Sequence, residues 1–146
     1  MAKNDEQRAQ AVDLFNSVWK LLDKKKRTRE EDDAMLHAAH ASRHHWGQVG
    51  TPLNFARGEW QVSRVYAVLK RAEPALHHAK RCLELCREHK IGDFDLAYAY
   101  EALARASALA KKKGDVARYL KLAAKAAAGI SKKEDREFFE KDLATL

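Results

Sequence analysis

Two breaks in a helix-rich chain, Gly50-Thr51-Pro52 and Gly92-Asp93, stand 42 residues apart and set the length of the unit from which it is built. Each joins a stop to a start: glycine ends one helix, and Thr or Asp caps the next. Side chains between the breaks repeat as well. A shift of 41 residues lays Phe55 on Leu96, Ala56 on Ala97, Gly58 on Ala99, Ser63 on Ala104 and Arg64 on Arg105. Small residues meet small residues, as close helix packing demands. A chain with this period folds as stacked copies of one helical hairpin, because a single hairpin cannot bury its own apolar face.

Apolar spacing of 3–4 residues predicts the elements. The first hairpin covers about 5–46, and its opening helix carries Val12, Phe15, Val18, Trp19 and Leu22 on one face. Thr28 and Glu31 form a capping box for its second helix. The second hairpin covers 52–90 and the third 93–128, and Ser131 with Glu134 predicts another capping box before a last helix over 131–145. With only two prolines and six glycines, the expectation is a single all-α domain over 1–146. The last helix, with Phe138, Phe139 and Leu143 among charges, suits a cap on the open end of the stack, or else an associating helix.

The segment "SRVYAVLKRAEPALHHAKRCLEL" spaces Ser63, Tyr66, Leu69, Ala75, Ala79 and Leu83 in a way that resembles a tetratricopeptide repeat, in its 42-residue variety. The likeness is best over 54–128, and Lys70 stands where that family usually has glycine. It implies a right-handed α-solenoid of about three antiparallel hairpins plus a C-terminal capping helix. It also implies a scaffold that binds a protein or peptide partner. The first helix of each unit would line a concave groove showing Arg57, Trp60 and Arg64, then Tyr98, Glu101 and Arg105. Two guanidinium forks and two aromatic faces suit a ligand bearing a carboxylate. The competing reading packs Trp60 against a neighbouring helix and pairs the arginines with Glu59 and Glu101.

Three turns within the hairpins are basic: Lys24, Lys25, Lys26 and Arg27; Lys70 and Arg71; Lys111, Lys112 and Lys113. On one edge of a stack they would form a ridge able to meet nucleic acid or another polyanion, an alternative in keeping with the net charge of +7. Solvated turn charge is the plainer explanation.

The segment "HAAHASRHHWG" adds a second alternative. His37, His40 and His44 share one helical stripe, and a shift of 42 residues lays them on Ala79, Cys82 and Cys86, at inward positions. They read first as a polar packing layer, with Asp33 on the same stripe. A metal or small-ligand site is the lesser reading, since no other segment supplies matching ligands. Cys82 and Cys86 form no disulfide framework and suit a reducing, cytoplasmic setting. No stretch has the length and apolarity of a membrane span, and no glycine-rich phosphate loop, nucleophile elbow or paired CxxC is present. The expectation is therefore a non-enzyme without cofactor, with self-association open.

Overall fold

Seven α-helices organise the described residues, 2–146, of the computed structural model: α1 (Ala2–Leu22), α2 (Arg29–Val49), α3 (Pro52–Val68), α4 (Ala72–Glu88), α5 (Asp93–Leu109), α6 (Lys113–Ala127) and α7 (Lys133–Leu143). There is no strand among the described residues, and no helix is long and apolar enough to cross a membrane. Thr28 and Glu31 form the expected reciprocal cap of α2. At α3 the Thr51 backbone N–H donates to the Asn54 side chain at 3.0 Å, and Pro52 occupies a first-turn position where no N–H is missed.

Three of the connecting turns share one geometry. Lys70, Lys90 and Lys111 adopt φ of 61°, 54° and 60°. In each case the next N–H reaches back five residues: Arg71 to the Tyr66 carbonyl, Ile91 to Cys86 and Lys112 to Ser107. This is the left-handed helix ending that glycine favours, held here by lysine three times.

α1 packs on α2, α3 on α4 and α5 on α6, while α2–α3 and α4–α5 contacts join the pairs. α1–α3, α3–α5 and α5–α7 contacts add a layer of odd-numbered helices. The even-numbered helices pack on that layer and, at backbone distance, not on one another among the described residues. α5 is the most enclosed element, covered by α3, α4, α6 and α7. Its buried Ala97, Ala99, Ala102, Ala104 and Ala106 let four neighbours approach closely. A core of Leu83, Leu85, Ile130 and Phe139 surrounds it and its own Leu103, and a second cluster of Val18, Met35, Val62 and Val65 holds the first two helices to α3.

The first hairpin departs from the expected register. α2 buries Met35, Ala39 and Ser42, which a shift of 40 rather than 42 residues lays on the buried Ala75, Ala79 and Cys82. His37, His40 and His44 consequently lie at the surface instead of inside. Ser42 can lie inside because its hydroxyl donates to the Ala11 carbonyl at 2.8 Å. The capping box expected at Ser131 also differs. Ser131 donates from its N–H and Oγ to Asp93 at 3.2 and 2.7 Å, and α7 begins after Lys132 without a side-chain cap.

Candidate functional site

The layer of odd-numbered helices carries a continuous run of aromatic rings. Phe15 meets Trp19 edge-on with centroids 6.3 Å apart, and Trp19 lies 5.4 Å from Trp60. Trp60 meets Tyr98 at 5.5 Å, and Tyr98 is flanked by Phe94 at 4.7 Å and Phe139 at 4.8 Å. Rings spaced this way attract through offset and edge-to-face contacts as well as by excluding water. Between them opens a cavity of about 520 Å³. Phe15 and Trp19 of α1, Ala56 and Trp60 of α3, and Phe94 and Tyr98 of α5 form its apolar wall. Phe138, Lys141 and Asp142 of α7 stand at its edge, with Arg57, Arg64, Asp23 and Asp95. The Trp60 indole N–H is buried without an acceptor in the protein.

Arg64 and Arg105, equivalent in the repeat, converge on Glu101, which is 0% exposed. Arg64 Nη2 lies 3.2 Å from one carboxylate oxygen and Arg105 Nε lies 2.7 Å from the other. Two guanidiniums face one carboxylate, so the cluster is one negative charge short of balance. Asp142 of α7 supplies it. Arg64 donates to Asp142 at 3.1 Å, Arg105 at 3.4 Å and the Tyr98 hydroxyl at 3.0 Å. Burial lowers the affinity of Arg64 for its proton, and the charges of Glu101 and Asp142 outweigh it, so its pKa is raised. Burial and the charge of Asp142 push the Tyr98 phenol well above its usual range and keep it a donor. Arg64 also stacks over Trp60, 5.1 Å from the ring centroid.

The groove residues read from the sequence thus divide. Trp60, Tyr98, Arg57 and Arg64 reach the cavity. Arg57 is committed to Asp95 through two bonds of 2.9 and 3.2 Å. Glu101 lies beneath, and Arg105 points past Asp142 toward Thr145 and a second cavity of about 410 Å³ lined by Val68, Leu109 and Leu146. Sequence reasoning missed Asp142, Phe94 and Asp95. The excess of arginine over acid at repeat-equivalent positions was the signal that could have pointed to Asp142.

Glu59 pairs elsewhere. Only 8% exposed, it accepts from Arg43 at 2.7 Å and contacts His78 Nδ1 at 2.8 Å, tying α3 to α2 and α4. Burial opposes its ionisation, yet His78 and Arg43 overcome that and hold its carboxyl below the usual range. A Cβ on Gly58 would come within 2.7 Å of Arg43 Cδ, so glycine there leaves room for the Arg43 side chain on its way to Glu59. The histidine stripe is split. His40 contacts the Tyr66 hydroxyl at 2.8 Å and sits 5.6 Å from the His78 ring, whereas His44 meets only its neighbour His45 among the rings. Partial desolvation of the His40 ring by its neighbours and the charge of His78 hold it below the usual imidazole range. No group of three His, Cys, Asp or Glu among the described residues is placed to hold a metal. Cys82 lines the cavity, but its hydrogen bond with Cys86 and its burial raise its thiol pKa, which disfavours a thiolate.

In the basic turns, Lys24 pairs with Glu31, and Arg27 binds Asp32 at 2.8 Å and the Leu21 and Lys24 carbonyls. Arg71 stacks over Tyr66 at 5.5 Å. Lys25, Lys26, Lys70, Lys111, Lys112 and Lys113 remain in solvent. Comparison with family models, with curated proteins and with solved structures finds no match for this chain.

Proposed function

We propose that this protein is a small interaction module, a right-handed stack of tetratricopeptide-like hairpins that receives an apolar anchor side chain of a peptide or protein partner. The aromatic cavity carries the reading. Its size of about 520 Å³ suits a large side chain or two, its wall is built from three successive odd-numbered helices, and its edge bears fixed charges. Anchors of this kind supply most of the energy of a recognition surface, while the polar rim sets orientation. The order of contacts, each odd helix against its own partner and against the next odd helix, supports the stacked-hairpin reading. The small-residue pattern shared by α3 (Ala56, Gly58, Ser63) and α5 (Ala97, Ala99, Ala104) supports it too.

Selection of a random peptide library on the immobilised protein tests this. The expected outcome is a family of peptides sharing an aromatic or large aliphatic residue near a carboxylate. Their binding should be lost in Trp60→Ala and kept when the exposed Lys112 and Lys113 become glutamine. Enriched peptides without any large apolar residue, or binding abolished by moderate salt and by the lysine changes, would remove the groove reading in favour of a polyanion-binding edge.

A further inference from the structure

α7 sits on the odd-helix layer as a ligand would. Of its eleven residues only Phe139 is buried, and its backbone approaches only α5 and α6 closely, with a side-chain bond from Asp142 to Arg64 of α3. Three features fasten it: Phe139 edge-on against Tyr98, Leu143 against the same core, and Asp142 held by Arg64, Arg105 and the Tyr98 hydroxyl. Phe138, 62% exposed, lines the cavity without filling it. The receiving surface has its own internal order without α7, since Glu101 already fixes both arginines through bonds of 3.2 and 2.7 Å. It nevertheless keeps one uncompensated positive charge. The link before α7 is tied independently to the start of α5 by the Ser131–Asp93 bonds, so α7 can swing away while its root stays fixed.

We infer that α7 is a resident ligand, displaced by an acidic helical segment of a partner that carries an aromatic residue three positions before an aspartate. The inference rests on the groove reading above and names the chemistry of its partner. Charge complementarity decides the class: a cationic or neutral segment would leave Arg64 and Arg105 without their second carboxylate, whereas an acidic one restores it. The aromatic residue takes the site of Phe139. The free cavity beside it offers the incoming segment contacts that α7 does not make, and this gives exchange its direction. Competition with the resident helix lowers the apparent affinity by the fraction of molecules that are open.

The test uses the full-length chain, labelled with nitrogen-15, titrated with an unlabelled synthetic peptide of residues 131–146. Expected are saturable binding, loss of the native α7 amide signals, and retention of those of α1–α6. Asp142→Ala in the protein should tighten binding by about tenfold by raising the open fraction. Asp142→Asn in the protein is the second variant and keeps the side-chain shape. Asp142→Asn in the peptide should weaken binding by about tenfold, with no folding question attached. Peptide binding that leaves the α7 signals in place overturns the inference and spares the groove reading. No binding to the wild type or to either protein variant overturns the inference; it removes the groove reading as well if the selected library peptides also fail. A concentration-dependent doubling of mass without peptide, with native α7 signals retained, overturns it in favour of helix exchange between two copies.

Discussion

Glu59 and Glu101 are both buried glutamates on odd-numbered helices, and their surroundings differ in one respect. Glu59 has one guanidinium, from Arg43, and one imidazole, from His78. Its network closes within α2, α3 and α4. Glu101 has two guanidiniums, and its network closes only when Asp142 arrives from α7. A charge-balanced cluster between packed helices is scaffolding. One left unbalanced at the edge of a cavity is a surface prepared for an anion.

The contrast can be broken at several points. Glu101→Ala should have the largest effect, about 3–5 kcal/mol lost in chemical denaturation, because it leaves two poorly solvated guanidiniums to share Asp142 alone. Glu59→Ala should cost less, about 2 kcal/mol, since the Arg43 side chain is already 25% exposed and can turn toward water. Asp142→Ala should cost about 1 kcal/mol, with the loss confined to amide protection in α7, because Arg64 and Arg105 keep Glu101. Uniform loss of protection in all seven helices would contradict the division between scaffold and site.

The two clusters should also fail at opposite ends of the pH scale. His40, at the surface but partly desolvated by its neighbours, with His78, Tyr66, Glu59 and His37 around it, has its pKa lowered from 6.5 on folding. The unfolded chain therefore takes up that proton first, and stability should fall as pH drops below 6.5. Glu59, lowered from 4.5, should add a second loss as pH falls below that value. Tyr98 runs the other way. Its folded pKa is raised above 10, so stability is full below pH 10 and lost as pH rises beyond it. Denaturation midpoints at pH 8, 5.5 and 10.8 check both arms, with Tyr98→Phe removing only the alkaline one.

Much of this was legible in the sequence, for identifiable reasons. Thr51, Pro52 and the Thr28–Glu31 pair act locally, so those helix starts follow from neighbours a few residues away. The turns after α3, α4 and α5, by contrast, pass through left-handed lysines rather than glycines, and Gly92, not Asp93, stands at the cap of α5. The equivalence of Arg64 and Arg105 is a matter of counting, and both do reach one carboxylate. The register of α2 was not legible. Its buried stripe contains a serine satisfied by a carbonyl of another helix, and four imidazoles nearby mimic an apolar face. Asp142 was hidden for a different reason: α7 has no counterpart in the repeat, and its bond to Arg64 spans 78 residues. Periodicity reports what one helix buries, and it is silent on which distant acid balances a pair of bases.

The lysine turns have an outcome of their own. A β-carbon in the left-handed region is disfavoured by about 1 kcal/mol relative to glycine, and the chain accepts this at Lys70, Lys90 and Lys111. Lys70→Gly should therefore raise the melting temperature slightly, in spite of the freedom glycine adds to the unfolded chain. Relaxing these corners would make a hardier protein, and one whose hairpin ends had given up their cations.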